Sequence, residues 1–272
     1  MITFPDGLTG TVVAAAALLN APAVVQAPAE AAKVAALALV DRTLIAVMED
    51  GSIRAEEALI GAEAPLGGGR TLRIDGVVQA YDRLPRPLYD VSVRASPEAP
   101  WRTLCPPDRS GRTTAIPIPG RWGADGGFEL VAAPGFSLSC TASVEARCVR
   151  LGYAPWQLAP DGSSLEPYHQ ACVHMVQADY CGDGEARPAR EVAIEVFDRA
   201  GINPVDGEAG AVGAPEALWG PEGAVCVARA RHPGVPLEEQ LRACPGLARP
   251  PAADCSAADL DDFPAALLGS RS

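Results

Sequence analysis

Lysine is nearly absent from this chain: Lys33 stands alone among 22 basic residues, and the remaining 21 are arginine. Acidic residues number 34, so the formal net charge is −12 and the pI lies near 4.7. An acidic chain with no basic cluster repels phosphate backbones, which excludes general nucleic-acid binding. The preference for arginine, beside abundant Ala, Gly and Pro, fits a coding bias and is no sign of phosphate recognition. Aromatics are scarce, at 5%. Trp101, Trp122, Trp156 and Trp219 are dispersed and read as core anchors, not as a stacking platform. No apolar run reaches the ~18 residues that a membrane span requires. Cys-x-x-Cys, Gly-x-Ser-x-Gly and His-Glu-x-x-His are all missing, which removes the common zinc, redox and hydrolase signatures. Gly67-Gly68-Gly69 has neither a following Gly-Lys-Ser/Thr nor Rossmann spacing and reads as a flexible connector.

What the chain does have is cysteine. Cys105, Cys140, Cys148, Cys172, Cys181, Cys226, Cys244 and Cys255 form an even set, all beyond residue 104. That count without metal spacing points to a disulfide framework and hence to an oxidising compartment. Export, whether periplasmic, cell-surface or secreted, is therefore expected. A signal peptide is compatible with the apolar stretch from Leu8 to Ala27 and the small residues around Ala27 and Ala29. The start lacks the usual basic residues, and Met1 to Gly7 holds Asp6 instead. A mobile tail or alanine-rich helix is the alternative there, and a cytoplasmic protein with eight free thiols the alternative for compartment.

The expected fold class is α+β: a β-rich N-terminal half, a small sandwich or barrel, followed by a disulfide-stapled helix pair and short strands. Four regions follow: an Ala/Pro-rich segment at 1–41, a β-rich region at 42–140, a helix-and-strand region at 141–230, and a Pro/Ala-rich tail at 231–272. Strands are predicted at Thr43 to Met48, Thr71 to Gln79, Leu88 to Val93, Thr103 to Cys105, Thr114 to Ile118, Phe128 to Val131 and Phe136 to Cys140. Asp50-Gly51 marks a hairpin after the first of them. Thr141 is a candidate N-cap for a helix carrying Val144, Cys148 and Leu151 on one face, ended by Gly152. A second helix is expected from Leu165 to Tyr180. Ser163 and Glu166 form its capping box, and Gly182 and Gly184 stop it. Its inward stripe is Leu165, Tyr168, Cys172, Met175, Val176 and Asp179. Strands at Val192 to Phe197 and Ala224 to Ala228 complete the pattern.

Geometry limits the pairings. A continuous helix would separate Cys172 from Cys181 by roughly 13 Å, and a disulfide tolerates only about 7 Å between Cα atoms. Cys148 and Cys172, on the apolar faces of consecutive helices, would staple a helical hairpin. Cys105 and Cys140 suit a cross-strand pair, Cys244 and Cys255 a local loop, and Cys181 is left for Cys226. Eight cysteines allow about 105 arrangements, so other sets stay open.

The string from His169 to Gly184, with Ala178-Asp179-Tyr180-Cys181 inside it, resembles the bacterial ADYC domain family, named for those four residues. The likeness extends to Trp101-Arg102-Thr103-Leu104-Cys105, to the stretch from Cys148 to Trp156, and to Phe197-Asp198-Arg199-Ala200-Gly201-Ile202, covering roughly residues 70 to 230. The resemblance implies an exported or lipoprotein-type bacterial protein of unassigned activity. This chain departs from that pattern in having no lipobox cysteine.

Two kinds of chemistry can be drawn from the same helix. His169 and Cys172 are three residues apart and Asp179 is seven further on, so a thiolate, an imidazole and a carboxylate share one face, the logic of a cysteine hydrolase or transferase. Against it, Cys172 lies in the apolar stripe and is available for a bridge. Asp179 and Asp183, with Glu185, flank glycines and offer oxygens for calcium, but the spacing fits no EF-hand and helix termination explains them as well. His174 points away from Cys172, and His232 sits in a loop, so no tetrahedral set converges. No cofactor is implied. The expected function is a non-catalytic binding or structural module with an unidentified cell-envelope or extracellular partner. The alternative is the His169, Cys172 and Asp179 enzyme.

Overall fold

The computed structural model describes residues 33–80, 85–123, 126–131, 135–186, 192–204, 215–231, 234, 236–242, 244, 247 and 260–272. The chain divides into two units, Met1–Glu30 and Ala31–Ser272, and every described residue belongs to the second. The proposed signal segment, His232 and Cys255 lie outside the described residues.

The β-rich half begins earlier than Thr43. Strand β1 (Val34–Val40) runs antiparallel to β2 (Thr43–Met48), within the segment read as Ala/Pro-rich. Asp41 and Arg42 make the turn with φ of 44° and 71°. That two-residue, positive-φ turn matches strand twist without a glycine to advertise it. The Asp50-Gly51 hairpin forms as its sequence predicts and leads into β3 (Ile53–Ala55), with Asp50 Oδ1 accepting the Ser52 N–H at 2.8 Å.

A larger antiparallel sheet follows, in the order β11-β8-β6-β5-β4, with the short β7 pairing the C-terminal part of β6 off that path. Its strands are β4 (Glu63–Gly67), β5 (Arg70–Ala80), β6 (Arg86–Arg94), β7 (Arg102–Thr103), β8 (Thr114–Ile118) and β11 (Ser137–Cys140). A small β9 (Gly120–Trp122) and β10 (Phe128–Leu130) ribbon lies between β8 and β11 in the chain. Gly67-Gly68-Gly69 is no loose connector: all three take positive φ and turn the β4–β5 hairpin. The three-stranded and six-stranded sheets share one core. Leu44, Ala46 and Met48 of the first pack with Leu72, Ile74, Tyr89 and Val91 of the second. A parallel bridge from Lys33 to Glu63 joins the two at a corner. Tyr89 also fastens them by a polar bond, its hydroxyl accepting the Leu44 N–H at 2.9 Å. Burial pushes that phenol up to about 12, so it remains a neutral hydroxyl.

Two helices then cross. Helix α1 (Val144–Arg150) is capped by Ser143, whose hydroxyl accepts the Ala146 N–H, and not by Thr141. Thr141 is drawn instead to Thr114 and Asp108. Helix α2 (Glu166–Gln177) has no side-chain cap on Leu165, with Pro167 in its first turn. The Ser163–Glu166 capping box does not form, because the helix begins at Glu166, after Leu165, and the Ser163 hydroxyl donates to Asp161. The inward stripe of α2 is buried as its periodicity predicts.

The final sheet runs β12-β15-β13-β14, with β12 (Glu195–Asp198), β13 (Pro215–Gly220), β14 (Gly223–Val227) and β15 (Leu268–Arg271). The Pro/Ala-rich tail thus holds a short helix α3 (Leu237–Arg242) and an interior strand. Helix α2 covers this sheet through Tyr168, Met175, Val176, Trp219 and Leu268. Among the described residues, no helix is long and apolar enough to cross a membrane.

Disulfides staple these parts. Cys105 joins Cys140 and Cys148 joins Cys172, with Cα separations of 5.3 and 5.8 Å. Cys181 bonds Cys244, not Cys226, which also overturns the local Cys244–Cys255 loop. Cys226 is itself disulfide-bonded, and none of the described cysteines is free. The correction has a physical cause: α3 brings the tail back to the end of α2, a return that local spacing does not reveal.

Replacing Tyr89 by Phe strips the Leu44 N–H of its acceptor inside the core. We expect Tyr89→Phe to lose about 1–3 kcal/mol in urea unfolding with an unchanged m-value. A loss under about 0.5 kcal/mol would show that this bond does not fasten the sheets.

Candidate functional site

The Ala178-Asp179-Tyr180-Cys181 string forms the corner where α2 stops. Ala178 takes left-handed angles, φ 53° and ψ 37°, and the Asp179 N–H donates back to the His174 carbonyl at 2.9 Å. Helices often end this way on glycine. Here the residue carries a methyl group, fully buried in the core, so packing offsets a cost of about 1 kcal/mol. The helix therefore ends before Gly182 and Gly184, the glycines expected to stop it.

Asp179 is completely buried. Its Oδ2 meets His174 Nδ1 at 2.9 Å and accepts the Gly184 N–H at 2.9 Å, while Oδ1 accepts the Asp183 N–H at 3.2 Å. His174 Nε2 reaches the Pro221 carbonyl at 3.0 Å, tying α2 to the β13–β14 turn. Gly182 passes so close to the Glu222 carbonyl that a Cβ would overlap it, and it sits at φ 67°. Only glycine fits there.

Tyr180 turns into the sheet. Its hydroxyl donates to Glu216 Oε1 at 2.9 Å and accepts the Arg231 N–H at 3.0 Å. Its ring stacks on Trp219 with centroids 5.1 Å apart. Burial first, then the Glu216 charge, pushes the phenol far above its ordinary value. Glu216 and Arg231 are both buried: Nε donates to Oε2 at 3.1 Å, and Nη2 stands 2.7 Å from Oε1 in a charge contact too bent for a hydrogen bond. Arg231 Nη1 also reaches the Val176 carbonyl at 3.3 Å. Cys181 completes the corner through its bridge to Cys244.

The proposed catalytic residues are committed elsewhere. Cys172 is fully buried and bridged, so its sulfur is no thiolate. His169 Nδ1 donates to the Tyr153 carbonyl at 2.8 Å, and its ring stacks on Trp122 at 4.9 Å. Since a carbonyl only accepts, Nδ1 carries the hydrogen, and Nε2 is a buried lone pair with no hydrogen-bond partner among the described residues. Desolvation lowers the His169 pKa to about 4. Asp179 serves His174 and two loop amides. Asp183 and Asp179 meet as backbone donor and carboxylate acceptor, not as paired ligands. Among the described residues, no three His, Cys, Asp or Glu side chains gather to hold a metal ion.

Sequence reasoning missed Glu216 and Arg231, which lie in different strings and pair only through the fold. It also missed the Asp198 knot. There the carboxylate accepts the Tyr153 hydroxyl at 2.7 Å and the Ile202 and Asn203 N–H groups, while Asn203 Nδ2 donates to the Leu151 carbonyl. Both strings, Cys148 to Trp156 and Phe197 to Ile202, are among those carrying the family likeness, and the Tyr153–Asp198 bond joins them in this fold. In the third, the guanidinium groups of Arg73 and Arg94 both lie over the Trp101 ring, at 4.3 and 4.5 Å from its centroid.

These features define a disulfide-stabilised module whose signature residues hold its parts together. The ADYC domain family model matches residues 52–233, and the chain belongs to that family. No curated protein and no solved structure matches it.

His169 makes acid stability a test of this geometry. Its folded pKa is depressed, so the unfolded chain takes up a proton that the folded chain resists. Stability is then full above about pH 6.5 and falls as the pH drops toward 4, by up to about 3 kcal/mol. His169→Asn keeps an N–H donor for the Tyr153 carbonyl and removes the titrating group. Urea unfolding across that window should give a flatter curve for the variant, and parallel curves would contradict the burial of a neutral His169.

Proposed function

We propose that this chain is an exported, disulfide-stapled module that binds or scaffolds and does not catalyse. The observation that carries the reading is the Cys148–Cys172 bridge, which occupies the one sulfur that the enzymatic alternative needs as a nucleophile. The His169 imidazole is spent on a backbone carbonyl, and the Asp179 carboxylate holds a loop. Export is supported by the bridges themselves, since such bonds persist in oxidising compartments. The same reading makes the segment ahead of β1 a leader to a folded body that takes in β1 from the first of the four expected regions and β15 from the last.

Alkylation of the natively folded, non-reduced protein, with and without denaturant, followed by mass mapping, tests it. We expect Cys172 to stay blocked under both conditions and the Cys181–Cys244 peptide pair to be recovered intact. Rapid alkylation of Cys172 alone in the folded state would sink the scaffold reading and favour the enzyme. His169→Ala should then slow that alkylation.

A further inference from the structure

Beside the helix pair lies an open pocket of about 630 Å³, a size suited to a small molecule. Its charged lining is lopsided for so acidic a chain: Arg109, Arg147 and Arg150 against the single carboxylate of Asp108. Asp108 is already engaged, with Oδ1 taking Ser110 and the Arg112 N–H and Oδ2 taking Thr141. These hydrogen bonds outweigh desolvation and hold its pKa below the ordinary carboxylate value. Arg231 stands close enough to act on Arg147, but its own charge is met by Glu216.

Arg147 is different. It is partly buried on α1, and among the described residues it has neither an ion-pair partner nor a hydrogen-bond acceptor. Desolvation lowers its pKa, and the neighbouring positive charges of Arg109, Arg231 and Arg150 lower it further. A guanidinium stays charged in proteins, so the chain holds a partly desolvated cation beside Arg109, and beside Arg150 and Arg231, which have partners of their own. The Gln177 amide, also without a partner among the described residues, lines the same space. Val144, Leu151 and Val176 supply an apolar wall.

We propose that this pocket binds a small organic anion, its carboxylate or phosphoryl head on Arg147 and Arg109 and its apolar body against Val144, Leu151 and Val176. The fork of a guanidinium matches either head in bidentate fashion. An anion there offsets the repulsion between Arg147 and the neighbouring guanidinium groups. The proposal gives the binding reading above a ligand class. It is separable from that reading, because anion binding does not depend on the redox state of Cys172, and the thiol map does not report on the pocket.

The test uses the full oxidised chain at fixed ionic strength, titrated with phenyl phosphate, benzoate and neutral benzyl alcohol. Thermal unfolding and calorimetry provide the readouts. A saturable rise in Tm with phenyl phosphate alone assigns a phosphoryl head, with benzoate alone a carboxylate head, and with both a general anion site. In each case benzyl alcohol should give no shift, and Arg147→Gln should weaken binding at least about tenfold, as loss of a charged hydrogen-bond donor does. Without ligand, Arg147→Gln should melt no lower than the parent. If that variant fails to fold, Arg109→Ala removes an exposed cation of the same pocket and should still weaken binding several-fold. No shift with either anion, an equal shift with benzyl alcohol, or full affinity in a folded Arg147→Gln or Arg109→Ala variant overturns the proposal.

Discussion

The Glu216–Arg231 ion pair, capped by the Tyr180 hydroxyl, is the interaction on which the C-terminal half depends. Two opposite charges lie in the core between α2 and the last sheet, where each alone would be costly. The pair is tolerable because Glu216 also accepts the Tyr180 hydroxyl and Arg231 Nη1 reaches the Val176 carbonyl, while Nη2 is held by the charge of Glu216 alone. That requirement fixes where Tyr180 must point, and hence how α2 must end. The left-handed Ala178, the inward Asp179 and the bridge at Cys181 are the local means of meeting it. The four residues that name the family are thus a hinge-point of construction, each with a different structural task.

The bridges act on the same corner from outside. Cys148–Cys172 holds α1 to α2, and Cys181–Cys244 draws the tail over the end of α2. The second closes a sequence separation of 63 residues, a large constraint on the unfolded chain. One clamp thus falls in the middle of α2 and the other just beyond its end, and α2 packs on the sheet in which β15 lies between β12 and β13. A nucleophile in this helix would have to sacrifice one of those clamps.

Legibility from sequence followed locality. Strands β2, β5, β6 and β8 alternate or carry β-branched residues, and their turns hold Gly or Asp, so both period and punctuation were visible. Strand β1 is Ala- and Leu-rich with an Asp41-Arg42 turn, and neither feature signals a hairpin. Strand β15 is four residues, Leu-Gly-Ser-Arg, whose burial comes entirely from its neighbours. In the helix pair, face sharing was enough to place Cys148 on Cys172. Cys181 could be excluded from Cys172 by helical rise, but its true partner lay across an unpredicted return of the chain. The pocket arginines were invisible for the same reason: Arg109 sits in a loop far from α1 in sequence, and only the fold sets it beside Arg147.

The central claim is that the Tyr180 corner is an electrostatic and packing node and not a reactive site. Urea unfolding of Arg231→Met and of the double variant Arg231→Met, Glu216→Leu tests it most directly. The account predicts a loss of about 3–5 kcal/mol for the single variant, which leaves Glu216 buried and unpaired, and a double variant within about 1 kcal/mol of the parent. A single variant as stable as the parent would contradict it.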